Sequence, residues 1–205
     1  MSSISEFLLW LGVIFPLVFS AGPGNILCAI CGASNGFGKS VPFILGLNII
    51  YTLYALIMGF GMASINLEYP QFFRLLQIAG VMYIAWLGIK FFSKKGMNKT
   101  GTVEQLTFMD GVISQALNVK GMTIVLTMYS QFLDADKSLY TEVFTLSFAL
   151  LMINLFTHFT WAYGGAWMAS VFASDRAIRI QNKVFGSMLL AVAFWLFYQA
   201  FIGRQ

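Results

Sequence analysis

Long apolar runs alternate with short polar breaks along the chain. Six of the runs, at about 6–31, 42–64, 73–92, 109–133, 143–169 and 184–203, reach the roughly 20 residues that a membrane-spanning helix needs. The longest connection, SKKGMNKTGTVEQLT at 93–107, divides them three and three. The pattern predicts an all-α integral membrane protein with one transmembrane domain over 1–205: a first half at 1–92, a cytoplasmic linker at 93–107 and a second half at 108–205. Two runs are interrupted. The first holds FSAGPGNILC at 19–28, with Gly22, Pro23, Gly24 and Asn25 in succession, and the fourth holds SQALNVKG, with Gln115, Asn118, Lys120 and Gly121. Glycine and proline weaken a helix, and a buried amide must find partners. Each stretch is therefore expected to break its span near midplane, where broken backbone is tolerated only if buried or hydrated.

Composition sharpens the class. Of the 205 residues, 59% are hydrophobic and 10% charged, against about 25% charged in soluble domains. The net charge of +4 is scattered, with no basic patch interleaved with aromatics, which argues against nucleic acid as a partner. The chain opens MSSISEF, with Glu6 where a signal peptide would carry positive charge, so the first run reads as a retained span. Loops after the first, third and fifth spans hold Lys39, Lys90, Lys94, Lys95, Lys99, Arg176, Arg179 and Lys183; the opposite side holds Arg74, Lys137 and Arg204. Cytoplasmic loops attract basic residues, so both termini are expected on the non-cytoplasmic side of a multi-pass bacterial inner-membrane protein.

The halves resemble each other. At an offset of 106 residues, Asn48 matches Asn154, Gly59 matches Gly165, Gly80 matches Gly186, Met82 matches Met188 and Ala85 matches Ala191. With three spans per half such a repeat must be inverted in the membrane, and inverted repeats with interrupted helices in matching positions mark a transporter's binding site. Freed helix N-termini offer N–H donors and a positive dipole end to an anion. Lys120, ten residues after Asp110 and so ~15 Å along the helix, lies deep enough that it should be paired or used. A carboxylate is the natural guest.

Other residues carry chemistry that has to be weighed. His158, the single histidine, shares a helix face with Asn154 and Trp161 and could carry a proton, because imidazole titrates near neutral pH. Cys28 and Cys31 form C-A-I-C within the first span; they suit apolar packing, with a thiol-disulfide electron conduit as the alternative. Gly38-Lys39-Ser40 ends a loose match to a phosphate-binding loop, but between two spans it reads as a cytoplasmic turn. One histidine and no carboxylate clearly inside a span make a metal site improbable, although an ion or metal exporter on the same scaffold stays open. No cofactor is implied.

These motifs together resemble the LysE/RhtB family of amino-acid exporters. The family's first-span Pro-Gly-Pro-Asn signature stands here as Ala21-Gly22-Pro23-Gly24-Asn25, its Gly-x-x-x-Gly as Gly36 to Ser40, and its fourth-span Asn-Pro-Lys as Asn118-Val119-Lys120, followed by Gln131-Phe132. Ala21 and Val119 stand where the family carries prolines, and the Asn-Val-Lys form is similar to the cysteine/O-acetylserine branch. The resemblance implies proton-linked export of small amino acids, cysteine and O-acetylserine before threonine, homoserine, leucine or lysine. On that reading Gly22, Pro23, Gly24, Asn25, Asn48, Gln115, Asn118, Lys120, Asn154 and Trp161 bind substrate, and His158 with Lys120 couples protons. The partners are then the amino acid, protons and the lipid bilayer, with homo-oligomerisation left open.

Overall fold

A computed structural model describes residues 4–61, 105–134 and 137–171 throughout, together with some of the positions within 78–89 and 180–198. The described residues form helices and no strands. In chain order the continuous helices are α1 (Ile4–Phe19), α2 (Pro23–Asn35), α3 (Phe37–Gly61), α4 (Phe108–Ala116), α5 (Val119–Phe132) and α6 (Leu139–Val171). Helices α3 and α6 are each long and apolar enough to cross a membrane, and α1 with α2 forms a third candidate span bent by 61° at its break. About half of the sequence-predicted third and sixth spans, the linker at 93–104 and the basic residues Arg74, Lys90, Lys94, Lys95, Lys99, Arg176, Arg179 and Arg204 lie outside the described residues.

Both expected interruptions are present, each taking in only part of the stretch that signalled it. The first falls at Ser20–Gly22, and Pro23, Gly24 and Asn25 already belong to α2. The physical reason is that proline is pre-organised for the first helical position and its missing N–H is no loss there. The second falls at Leu117–Asn118, so that Lys120 and Gly121 open α5. The segment that resembled a phosphate-binding loop is a one-residue corner: α2 ends at Asn35, Gly36 takes φ 84°, and Gly38, Lys39 and Ser40 lie in the first turn of α3. That positive φ favours glycine. At the start of α4, Thr107 and Asp110 form a reciprocal capping box, which satisfies orphan donors at the helix start.

Packing divides the interior into two apolar clusters with a polar layer between them. One surrounds α2 and includes Ile26, Leu27, Ile30, Phe43, Ile44, Leu47 and Ala162; the other surrounds α5 and includes Trp10, Ile14, Val18, Ala55, Val125, Met128, Val143 and Leu150. Along α3 the change from one cluster to the other falls at Asn48, and along α6 it falls over Asn154, Thr157 and His158, all buried. The opposite faces present Leu45, Ile49, Leu53 and Ile57 from α3 and Phe144, Phe148, Met152 and Phe156 from α6. Rows of exposed apolar side chains at helical spacing suit lipid rather than water.

The helices around α2 approach at backbone distance. A side chain at Gly32 would run into the carbonyl of Ala162, and one at Gly165 into the carbonyl of Ala29, so α2 and α6 are in close contact. Gly46 and Gly111 stand in the same relation to the backbone of Phe108 and Phe43, which joins α3 to α4. Small residues let helix backbones meet where lipid supplies no hydrophobic drive for association.

Candidate functional site

The last four carbonyls of a helix have no partner within it, and inside a membrane that shortfall costs several kcal/mol for each group left bare. At the broken end of α1 every such carbonyl is covered by a side chain. Ser20 Oγ donates to the Leu17 carbonyl at 2.8 Å. Asn25 Nδ2 donates to the carbonyls of Val18 at 2.8 Å and Ser20 at 2.9 Å. Trp161 Nε1 reaches the Phe19 carbonyl at 3.2 Å. Lys120 Nζ donates to the Ser20 carbonyl at 2.8 Å and to Ser20 Oγ at 2.9 Å. The lysine therefore lies against the negative end of the α1 dipole, where a cation is favoured.

On the other side of the break are positive helix ends. Gly22, the N-cap of α2, has extended backbone and no side chain; its carbonyl accepts from Ile26 N at 2.9 Å, and Pro23 has no N–H. The N–H groups of Gly24 and Asn25 thus precede the first intrahelical bond of α2. A Cβ on Gly22 would meet the Lys120 side chain at 2.8–2.9 Å, so glycine is what allows the lysine to lie across the break. At α5, Asn118 Oδ1 accepts from Gly121 N at 3.2 Å and the Asn118 carbonyl from Met122 N at 3.2 Å, leaving the N–H groups of Val119 and Lys120 ahead of that helix.

Both helix starts open on one cavity. Of the residues expected from sequence, Gly22, Pro23, Gly24, Asn25, Gln115, Asn118, Lys120, Asn154 and His158 line it. Two others do not. Asn48 stands behind His158, and Trp161 is spent on the Phe19 carbonyl. The wall also includes Val18, Tyr51, Gly121 and Ile124, none of them among the expected binding residues. Tyr51 lies three residues after Asn48, on the same face of α3, and that spacing is the signal that could have found it. The space is tight: about 20 Å³ is open to the centre of a water-sized sphere, room for about one water.

Hydrogen bonds fix the histidine's tautomer. Asn48 Nδ2 donates one hydrogen to the Ile44 carbonyl at 2.7 Å and the other to His158 Nδ1 at 3.0 Å. Nδ1 is then an acceptor, and the ring proton of neutral His158 sits on Nε2, which faces Gly24 on the cavity wall. Asn48 Oδ1 is buried without a partner among the described residues. Asn154, at the matched position of the second half, bonds back to the Leu150 carbonyl at 2.9 Å just as Asn48 does to Ile44.

The two cysteines lie elsewhere. Cys28 and Cys31 are free, buried, and packed among Ile26, Leu27 and Ile30 in the apolar cluster around α2.

Comparison with known proteins adds an independent line. The family model of the LysE type translocator matches residues 15–200. Over 189 residues the chain is 24% identical to a protein of Vibrio cholerae serotype O1 named an uncharacterized membrane protein, covering 88% of this chain and 92% of that one. Over 180 residues it is 27% identical to the cysteine/O-acetylserine efflux protein of Escherichia coli K12, and equally to that of Escherichia coli O139:H28, covering 86% of this chain and 90% of each relative. No solved structure matches the chain.

Proposed function

As the chain belongs to the LysE type translocator family, we propose that it exports small amino acids or their derivatives from the cytoplasm in exchange for protons, with cysteine and O-acetylserine the first substrates to test. Translocators move solutes, so the protein is a membrane transporter and not an enzyme. The observation that carries the proposal is the meeting of two helix N-termini and Lys120 on one cavity. Positive dipole ends and an ammonium suit a carboxylate, and the substrate named for the Escherichia coli relatives is an amino acid.

In this proposal the site residues divide by role. Gly24 and Asn25, at the start of α2, offer backbone donors to the substrate carboxylate, while Gly22 and Pro23 shape that wall. Lys120 binds the carboxylate after releasing Ser20, so substrate entry loosens the end of α1. Gln115, Asn118 and Asn154 line the remaining wall. His158 and Lys120 carry the proton. A second proton on His158 would go to Nδ1, and Asn48 would have to turn its unpartnered Oδ1 to receive it. The architecture proposed is six spans in two inverted halves, 1–92 and 108–205, in the bacterial inner membrane with both termini outside the cytoplasm. The like bonding of Asn48 and Asn154 supports the repeat. The cavity has room for about one water, so transport requires α1–α2 and α5 to move apart. Homo-oligomerisation is compatible with this scheme.

The test is counterflow in proteoliposomes. Wild-type protein and a Cys28→Ser/Cys31→Ser variant are loaded with unlabelled cysteine, O-acetylserine, threonine, leucine or lysine and offered the labelled counterpart. We expect stereoselective accumulation by both proteins, strongest for cysteine and O-acetylserine. No accumulation by folded wild-type protein would overturn the proposal. Activity present in the wild type and lost in the serine variant would point instead to thiol-disulfide chemistry.

A further inference from the structure

Beside the cavity the two amide side chains of the fourth-span break are oriented by a bond of unambiguous direction. Gly121 N can only donate, so Asn118 presents Oδ1 to it at 3.2 Å. The Asn118 amide nitrogen then faces Gln115, and Gln115 answers with Oε1 at 3.0 Å. The chain of bonds leaves Gln115 Nε2 at its end with both hydrogens unused: the residue is fully buried and lines the cavity, and its Nε2 has no partner among the described residues. That nitrogen lies against Gly121, a wall residue, and a Cβ on Gly121 would fall on it. A buried donor left unmade is costly, and here the bonds of Asn118 hold it in place rather than letting it turn away.

We infer that Gln115 Nε2 is the specificity donor of the cavity: it takes a hydrogen-bond acceptor on the substrate's side chain, so the preferred cargo is an amino acid carrying a carbonyl or similar oxygen there, as an O-acyl hydroxyamino acid does. The inference rests on the proposed transport of amino acids through this cavity. It assigns the carboxylate to the α2 and Lys120 side and the substrate side chain to the α4–α5 turn. The discrimination has a physical source. An aliphatic side chain of the same shape would leave the Gln115 donor buried and unpaired, and a site built around a hydrogen bond rejects the analogue that lacks its partner.

The experiment compares O-acetyl-L-serine with O-ethyl-L-serine, which has the same chain without the carbonyl oxygen, in proteoliposome counterflow with cysteine as a reference. Wild-type protein is expected to favour the acetyl compound by about tenfold or more. In Gln115→Met the ratio should fall to near one. In Gln115→Glu, which keeps the acceptor for Asn118 and replaces the free donor with oxygen, the acetyl preference should also be lost; this variant carries the test if the methionine form does not fold. Equal transport of the two compounds by the wild type, or a preference that survives both substitutions, would overturn the inference and leave amino-acid transport standing. Cysteine transported with neither serine derivative moved would do the same. Failure of the wild type with all three compounds would overturn the transport proposal itself, and the inference with it.

Discussion

Replacing Lys120 with methionine should lower amino-acid counterflow by at least about a hundredfold while the protein still folds. The ammonium makes two bonds to Ser20 at the broken end of α1 and is the one formal charge on the described cavity wall. Bonds from a charged group are worth about 1.5–3 kcal/mol each, so losing the carboxylate's cationic partner accounts for a drop of that size. The fold loses less. The Ser20 carbonyl keeps its bond from Asn25, and the Ser20 hydroxyl keeps its bond to Leu17. A detergent melting curve should shift by an amount corresponding to about 1–3 kcal/mol. Lys120→Arg should recover part of the transport, because the charge remains although its geometry changes. Wild-type rates in the methionine variant would remove Lys120 from the proposed site.

Gly164 and Gly165 are adjacent in α6 and should respond in opposite directions to alanine. No described residue lies within 4 Å of a Cβ placed on Gly164, whereas one on Gly165 would collide with the carbonyl of Ala29 in α2. Gly164→Ala is expected to stabilise the helix by up to about 1 kcal/mol, the usual difference between glycine and alanine in a helix interior. Gly165→Ala forces two backbones apart, which costs about 3 kcal/mol or more because no flexible side chain can give way. Gly32→Ala should match it, since Gly32 meets the Ala162 carbonyl on the same interface. Yields of folded, monodisperse protein and melting curves for the three variants check this. Equal behaviour of Gly164→Ala and Gly165→Ala would contradict the close approach of α2 and α6.

Much of this arrangement is legible in the sequence, and the reasons it stops where it does are physical. Glycine, proline and asparagine inside an apolar run announce a broken span, and both breaks occur. The first closes before Pro23 because proline suits the start of the following helix, and the second closes at Asn118 because that side chain caps the helix after it. The polar residues of the cavity stand out as amides, a lysine and a histidine in apolar runs. Their division of labour does not, because it depends on which helix each one faces. Trp161 and Asn48 look like wall residues on a helical wheel, yet Trp161 caps a carbonyl of α1 and Asn48 holds the ring of His158. Ser20 carries no sequence signal as the partner of a lysine 100 positions away. Tyr51 is hidden among the aromatic residues expected of any membrane helix. The glycines at 32 and 165 gain their meaning from a contact between α2 and α6, and of the two only Gly165 was marked, by its match to Gly59 in the repeat.

The most direct test of where substrate passes uses one cysteine on the cavity wall. In a Cys28→Ser/Cys31→Ser background that retains counterflow, Ile124→Cys introduces a thiol at a buried wall position. A small methanethiosulfonate reagent should modify it as the cavity opens, and O-acetylserine at saturating concentration should slow that reaction in proportion to its occupancy. Modification at the same rate with and without O-acetylserine, in protein that still transports it, would contradict a binding site between the two helix breaks.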